Sequence, residues 1–388
     1  MATWREVFKI FLQLGMTSFG GPTAHVGYFR QAFVEQRQWL NESQFAQLLA
    51  ICQFLPGPAS SQLGFAIGLH RAGWQGALAA FVAFTSPSVI LLIAFAALLP
   101  LLGPLHSEML LHGLKLVPVA VVLHAVVAMA QSLLVDMSRR FIALLAVLII
   151  VWVDSSWGQI LAIVMGAGLG LVLMSHVPAK PASAIYVSIQ EAVARILLIG
   201  FAGCLVLALI WVSSTGVEQF LASYYRAGAL VFGGAHVVLP LLDQAVVTTG
   251  LVSETDFMAG YGAAQAVPGP MFTLAAFLGY IQGGLGYALL GVIAIFLPGF
   301  LLLAGILPFW HKITKLAWSG RIVAGVNAAV VGLLIATLYD PIATSALLGP
   351  IDWLVAIVAF ALLQWARLSP LWIVCFCVLA TSIVAYIF

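Results

Sequence analysis

The chain has 388 residues, 63% of them hydrophobic and only 7% charged, with a formal net charge of +2 and a mean hydropathy of +1.13. Soluble domains carry about 25% charged residues, so a water-exposed surface over most of this chain is excluded. So few charges say little about partners; the lipid bilayer is expected as one and nucleic acid is not.

The first apolar run is interrupted by Arg5, Glu6 and Lys9 and ends at Gly20-Gly21-Pro22, which does not read as a cleavable signal peptide. It leads into the cassette Phe19-Gly20-Gly21-Pro22-Thr23-Ala24-His25. The stretch 22–38 is amphipathic, with Arg30 and Arg37 seven apart on one face, and reads as an interfacial helix. Asn41-Glu42-Ser43-Gln44-Phe45 is a helix start, a capping residue with a polar partner three places on. The helical stretches 43–54 and 58–70 are each about 18 Å long at 1.5 Å per residue, well short of a bilayer core of about 30 Å. Gln53-Phe54-Leu55-Pro56-Gly57-Pro58 separates them. Proline removes a donor and clashes with the preceding turn, so the helix must break there. Pro58 suits the first position of the next half-helix, leaving the amides of Ala59, Ser60 and Ser61 facing the break. Apolar stretches at 74–100, 116–135 and 141–153 follow, with Lys115 in an apolar setting beside Pro118.

His176-Val177-Pro178-Ala179-Lys180-Pro181-Ala182-Ser183 is a polar, Pro-rich linker, followed by an extra apolar segment at 188–212. The cassette then returns as Phe232-Gly233-Gly234-Ala235-His236 and Gln265-Ala266-Val267-Pro268-Gly269-Pro270. Ser253-Glu254-Thr255-Asp256-Phe257 repeats the helix start, Gly284 matches Gly73, and Pro298 matches Pro87. Met271, Phe272 and Thr273 stand where the next half-helix begins. Long apolar stretches at 285–310 and 371–388 complete the chain. The expected organisation is a first repeat at 1–175, a linker at 176–187, and an extra helix plus a second repeat at 188–388.

Loop charges give the orientation. Arg139 and Arg140 follow one first-half helix, whereas the equivalent loop 339–352 holds Asp340 and Asp352 and no Lys or Arg. Conversely His311, Lys312, Lys315 and Arg321 crowd a loop whose counterpart, 100–106, has neither Lys nor Arg. Basic loops mark the cytoplasmic side, so the bias alternates between the halves. The expected fold is an all-α polytopic membrane protein: two inverted-topology repeats with broken, re-entrant half-helices and a cytoplasmic N-terminus.

Non-helical backbone at membrane depth is tolerated where it lines a cavity or is buried in protein, and a helix N-terminus carries free N–H donors and about half a positive charge. Matched breaks in two halves therefore point to an anion site at the repeat interface. The candidate binding residues are Gly20, Gly21, His25, Gln53, Pro56, Gly57, Pro58, Ala59, Ser60, Arg226, Gly233, Gly234, His236, Gln265, Pro268, Gly269, Pro270 and Met271. Arg226 is the expected cation, its planar fork of donors suiting a tetrahedral oxyanion, although snorkelling to the interface beside Tyr224 and Tyr225 is the competing explanation. Its first-half counterpart is Gln13. His25, His236, Glu42 and Glu254 are candidates for proton coupling; helix capping explains the two glutamates equally well. Lys115 and Arg30 are secondary candidates. Cys52, Cys204, Cys375 and Cys377 read as small core residues, and no cofactor, metal or catalytic residue is expected.

The two cassettes, with Trp39-Leu40-x-Glu42-x-x-Phe45, Arg226-Ala227-Gly228-Ala229 and His236-Val237-x-Leu239-Pro240, resemble the chromate ion transporter superfamily in its long, two-domain form. The resemblance covers essentially the whole chain. It implies a bacterial inner-membrane exporter of chromate, driven by the proton motive force, with sulfate as a similar anion. Two positions depart from the family: a basic residue commonly stands at the place of Gln13, and a third glycine at the place of Ala235. A sulfate or other oxyanion transporter and a passive anion channel of the same fold are the alternatives. A homodimer is one assembly the sequence leaves open. An enzyme finds no HExxH, nucleotide-binding motif or hydrolase triad to support it.

Overall fold

The computed structural model describes residues 3–101, 104–153, 156–175, 189–211, 216–232, 237–313 and 316–387. The linker predicted at 176–187 lies outside them.

Helix α1 (Trp4–Thr17) is capped by the Thr3 side chain, which accepts the Glu6 amide. Gly20 and Gly21, at φ +99° and +73°, turn the chain into α2 (Gly21–Arg30), which widens into a π-wound segment, Gln31–Gln36. Helix α3 (Glu42–Phe54) opens with the predicted capping box between Asn41 and Gln44. After Pro56-Gly57-Pro58 comes α4 (Ala59–Leu98), which is not one rod: Ala72 and Gly73 leave helical geometry, Gly73 at φ +62°. The chain doubles back there, so closely that a Cβ on Gly68 would lie 2.4 Å from the Gly76 carbonyl oxygen. A short half-helix thus folds against a longer one containing Pro87. Helices α5 (Pro104–Leu133), α6 (Met137–Trp152) and α7 (Ser156–Leu173) complete the first half, and α8 (Glu191–Ile210) is the predicted extra segment.

The same order of elements then recurs. Helix α9 (Val217–Leu230) stands where α1 did, and α10 (Val238–Leu242) again widens into a π-wound segment, Asp243–Val247. Helix α11 (Glu254–Ala266) is capped by Ser253. Past Pro268-Gly269-Pro270, a 3-10 turn (Met271–Thr273) starts α12 (Leu274–Ile306), which breaks at Gly283 and Gly284. The rest comprises α13 (Trp310–Ile313), α14 (Ala317–Thr337), α15 (Thr344–Ala346), α16 (Pro350–Gln364) and α17 (Pro370–Ile387). Among the described residues five helices are long and apolar enough to cross a membrane.

Packing ties the halves together. Helix α1 lies on α4 as α9 lies on α12, and α4 packs on α12. Phe65 and Phe81 of α4 meet Phe300 and Phe296 of α12 across this joint, with Phe65 stacked on Phe300 at 4.5 Å. The remaining helices exchange partners: α5 packs against α16 and α17, and α14 against α6 and α7. Lipid tails are as apolar as the helices, so close van der Waals approach at small residues has to supply the association. Gly325 against Gly166 and Gly170 is one such contact. The outer faces, such as Ile196, Ile199 and Val206 of α8, expose large aliphatic side chains suited to lipid. Two cysteines depart from expectation: Cys52 and Cys377 are core residues, but Cys204 and Cys375 face outward.

The halves differ in how tightly their broken helices are packed. Helix α11 is buried along most of its length and lies on α5, where a Cβ at Gly262 would sit 2.3 Å from the Leu114 carbonyl oxygen. Its counterpart α3 packs chiefly on α4 and exposes Ala46, Ala50 and Gln53. Gly262→Val is therefore expected to lower the thermal midpoint of the detergent-purified protein by several degrees, through overpacking of roughly 1–3 kcal/mol. The matching change Ala50→Val should leave it nearly unchanged.

Candidate substrate site at the crossed helix breaks

Each proline-glycine-proline break is held by the other half. The Gly57 amide donates to the Val231 carbonyl at 2.7 Å, just before the second glycine pair. The Gly269 amide donates to the Ser18 carbonyl at 3.0 Å, just before the first. Gly57 also abuts Gly299 of α12, and Gly269 abuts Phe84 and Ser88 of α4. Both breaks thus rest near the in-helix prolines, Pro298 and Pro87, of the opposite long helix. Glycine is required at the centre of each break: Gly57 is at φ +120° and Gly269 at φ +103°. The first amides of the following helical turns have no intrahelical partners, so two sets of donors start from this crossing.

Gln62, one turn into α4, locks the first break by donating to the carbonyls of Pro56 at 2.9 Å and Gly299 at 3.0 Å. At the second, the Thr273 hydroxyl donates to the Pro270 carbonyl at 2.6 Å, and Gln265 Nε2 lies 3.5 Å from Met271 Sδ. Pro58, Pro268, Pro270 and Met271 are buried, Pro56 and Ala59 half-buried, and Gln53 exposed, so the two glutamines before the breaks have different surroundings.

His25 is fully buried and joins three parts of the crossing. Its Nε2 lies 3.1 Å from the Ser18 carbonyl oxygen that also receives Gly269, and its Nδ1 lies 3.4 Å from Ser60 Oγ at the start of α4. The ring stands edge-on to Phe84. Gly233, Gly234 and His236 lie outside the described residues.

Arg226 is only 9% exposed, which rules out snorkelling, and its Nη2 reaches Ser223 Oγ at 3.4 Å. Among the described residues no carboxylate pairs with it. It lines a narrow cavity of about 30 Å³ with Gln159 of α7, Ser223, Leu230, and Gln244 of the π-wound segment. Gln159 Nε2 donates to the Pro240 carbonyl, and Gln244 Oε1 is buried without a partner. Neither break lines this cavity, although α9 ends at Leu230, directly before the Val231 carbonyl that holds Gly57.

The other candidates lie apart. Arg30 is exposed and paired with Glu35 and, through two hydrogen bonds, with Glu42. The bonds and charge of Glu42, with the charge of Glu35, raise the pKa of this guanidinium above its ordinary value. Both Arg30 and Glu42 are thereby committed to each other. Glu254 sits in the first turn of α11, where a carboxylate complements the helix dipole. Lys115, half-buried on α5, follows the Leu114 that Gly262 packs against. The sequence reading missed Gln62, Gln159 and Gln244. Only the position of Gln62 four residues after Pro58 could have marked any of them.

These features define a polytopic helical membrane protein of transporter type, with paired discontinuous helices and a buried cation that has no carboxylate partner among the described residues. The chain belongs to the chromate transporter family, whose model matches residues 5–171 and 218–382. It is 29% identical over 347 residues to the chromate transport protein of Pseudomonas aeruginosa, covering 87% of this chain and 81% of that one. It is also 29% identical over 335 residues to the chromate transport protein of Cupriavidus metallidurans, covering 86% and 81%. A shorter stretch, 31% identical over 87 residues, matches the uncharacterized transporter YwrA of Bacillus subtilis, covering 22% of this chain and 49% of that one. No solved structure matches the chain significantly.

Proposed function

We propose that this protein is a secondary transporter that exports chromate, a tetrahedral divalent oxyanion, across the bacterial inner membrane at the expense of the proton motive force. The two halves are inverted-topology repeats with the N-terminus in the cytoplasm, as the alternating loop charges indicate. The crossed pair of hydrogen bonds, Gly57 to Val231 and Gly269 to Ser18, carries this reading. It couples each broken helix to the opposite half, so rocking one half against the other moves both breaks together. Substrate binds between the helix starts after the breaks and Arg226. The cavity at Arg226, about 30 Å³, holds roughly two water molecules, so this conformation is too narrow there for the anion and rocking has to widen it.

His25 supplies the coupling. In the tautomer with hydrogen on Nε2, it donates to Ser18 and accepts from Ser60. Protonating Nδ1 turns that acceptor into a donor and forces the Ser60 hydroxyl to rotate at the very start of α4. Both breaks feel the change, because the Ser18 carbonyl also holds Gly269. His25→Gln keeps a donor and an acceptor but cannot titrate. It should still carry chromate down its own gradient while losing the several-fold acceleration given by an imposed pH gradient. Equal acceleration in mutant and wild type would remove His25 from coupling.

The decisive measurement is transport by the purified protein in liposomes, comparing chromate, sulfate, molybdate and phosphate with and without a pH gradient. Chromate flux accelerated by that gradient supports the proposal. Flux that follows only the anion's own electrochemical gradient would make the protein a channel, and flux of sulfate in preference to chromate would reassign the substrate.

A further inference from the structure

The first half contains a second cavity, built from the same positions as the one around Arg226. It is lined by Ile10, Gln13, Thr17 and Gln31, which correspond, at one constant spacing along the chain, to Ser223, Arg226, Leu230 and Gln244 in the other. In both halves the wall opposite the first helix is a π-wound segment, Gln31–Gln36 here and Asp243–Val247 there. Such wide turns are frequent at functional sites. The first cavity is far roomier, at about 180 Å³ against about 30 Å³.

What the first cavity lacks is a cation at the position of Arg226, since Gln13 stands there. Arg37 fills the gap from the other wall, immediately after the π-wound segment. The next residue, Gln38, holds a left-handed backbone at φ +52°, an uncommon conformation for a residue other than glycine. Glu35 and Glu42 are bonded to Arg30 rather than to Arg37, and among the described residues the one side-chain hydrogen bond from Arg37 goes to Gln36 Oε1 at 3.5 Å. Its neighbours Gln13, Thr17, Tyr28 and Gln31 offer uncharged donors and acceptors. An arginine with no carboxylate partner among the described residues, among amides and hydroxyls in a roomy cavity, suits a partly hydrated oxyanion.

We infer that the first half carries a second oxyanion site, centred on Arg37 with Gln13 and Gln31, which holds the transported anion while the Arg226 cavity is too narrow to admit it. The inference rests on the oxyanion-transport reading. It makes the repeat functional twice, with the positive charge supplied from opposite walls in the two halves. The first-half site is the weaker one, because Gln13, Thr17, Gln31 and Arg37 are exposed whereas Arg226 is buried, and water competes with Arg37 there.

Equilibrium binding of radiolabelled sulfate, with chromate as competitor, to the purified full-length protein in nanodiscs tests it. Wild type should show two classes of site. Arg37→Gln should remove the weaker class, raise the KM for transport about fivefold or more, and leave kcat within about twofold. Arg226→Gln should retain the weaker class alone. Adding Gln13→Arg to Arg37→Gln should restore the lost class, because it places a guanidinium where Arg226 stands in the other half. A binding curve for Arg37→Gln superimposable on wild type overturns the Arg37 site while leaving the Arg226 reading intact. Absence of any sulfate or chromate binding by wild type overturns both. Should Arg37→Gln not reach the membrane, Gln13→Arg alone must tighten the weaker class, and an unchanged affinity then counts against the site.

Discussion

Arg226→Gln is expected to lower chromate transport in reconstituted liposomes at least tenfold, with membrane abundance close to wild type. Hydrogen bonds from a charged group are worth about 1.5–3 kcal/mol, which corresponds to roughly 10- to 150-fold. The buried guanidinium has no carboxylate partner among the described residues and holds only a 3.4 Å contact with Ser223. Removing its charge therefore breaks no ion pair and relieves a desolvation cost, so the fold should tolerate the change or gain slightly from it. Loss of transport together with retained or raised thermal stability is the signature of a binding cation. A collapse in abundance, or unchanged flux, would give Arg226 a structural role instead.

The second large effect concerns the crossing itself. Gly57→Val should nearly abolish both membrane abundance and transport. A Cβ at Gly57 would lie 2.8 Å from Gln62 Nε2 and 3.0 Å from the Gly299 Cα, and the backbone is at φ +120°. Strain of this kind costs about 1–3 kcal/mol, and displacing Gln62 forfeits its two hydrogen bonds, about 0.5–1.5 kcal/mol each. Gly73→Ala is the natural control. It also has positive φ, +62° with ψ −156°, but open space where the Cβ would go, so it should cost the backbone strain alone, about 1–3 kcal/mol, and retain more transport than Gly57→Val. Equal loss in the two variants, read by fluorescence size-exclusion and chromate flux, would mean that backbone conformation alone matters and the cross-half contact does not.

Much of this architecture was legible because it is written in local chemistry. Pro56-Gly57-Pro58 and Pro268-Gly269-Pro270 cannot continue a helix, and Gly73 and Gly284 allow the reversals that follow. Asn41 and Ser253 begin helices because their side chains reach the next free amides. Arg226 stood out as a charge inside an apolar run. Other side chains were ambiguous for an equally physical reason. Arg30 and Arg37 have the same residue type on the same stretch, yet one is bound by Glu42, twelve residues away, and the other faces a cavity. Gln53 and Gln265 hold matched positions, yet one is exposed and one buried, because α11 has closed onto α5 whereas α3 packs chiefly on α4.

The sequence by itself determined that the chain is a duplicated membrane protein, where its helices break, and which cation lies in the apolar run before the second glycine pair. Each of these follows from residues within a turn or two of one another: a missing donor, a missing Cβ, a charge among aliphatics. Only the tertiary structure decided what the breaks hold. Gly57 could donate to any carbonyl brought within reach, and its partnership with Val231 depends on α4 packing against α12. The exchange of helices between the halves, the bridge from His25 through Ser18 to Gly269, and the arginine facing each cavity are set in the same way. They depend on contacts between segments far apart in the chain, which local propensity does not encode.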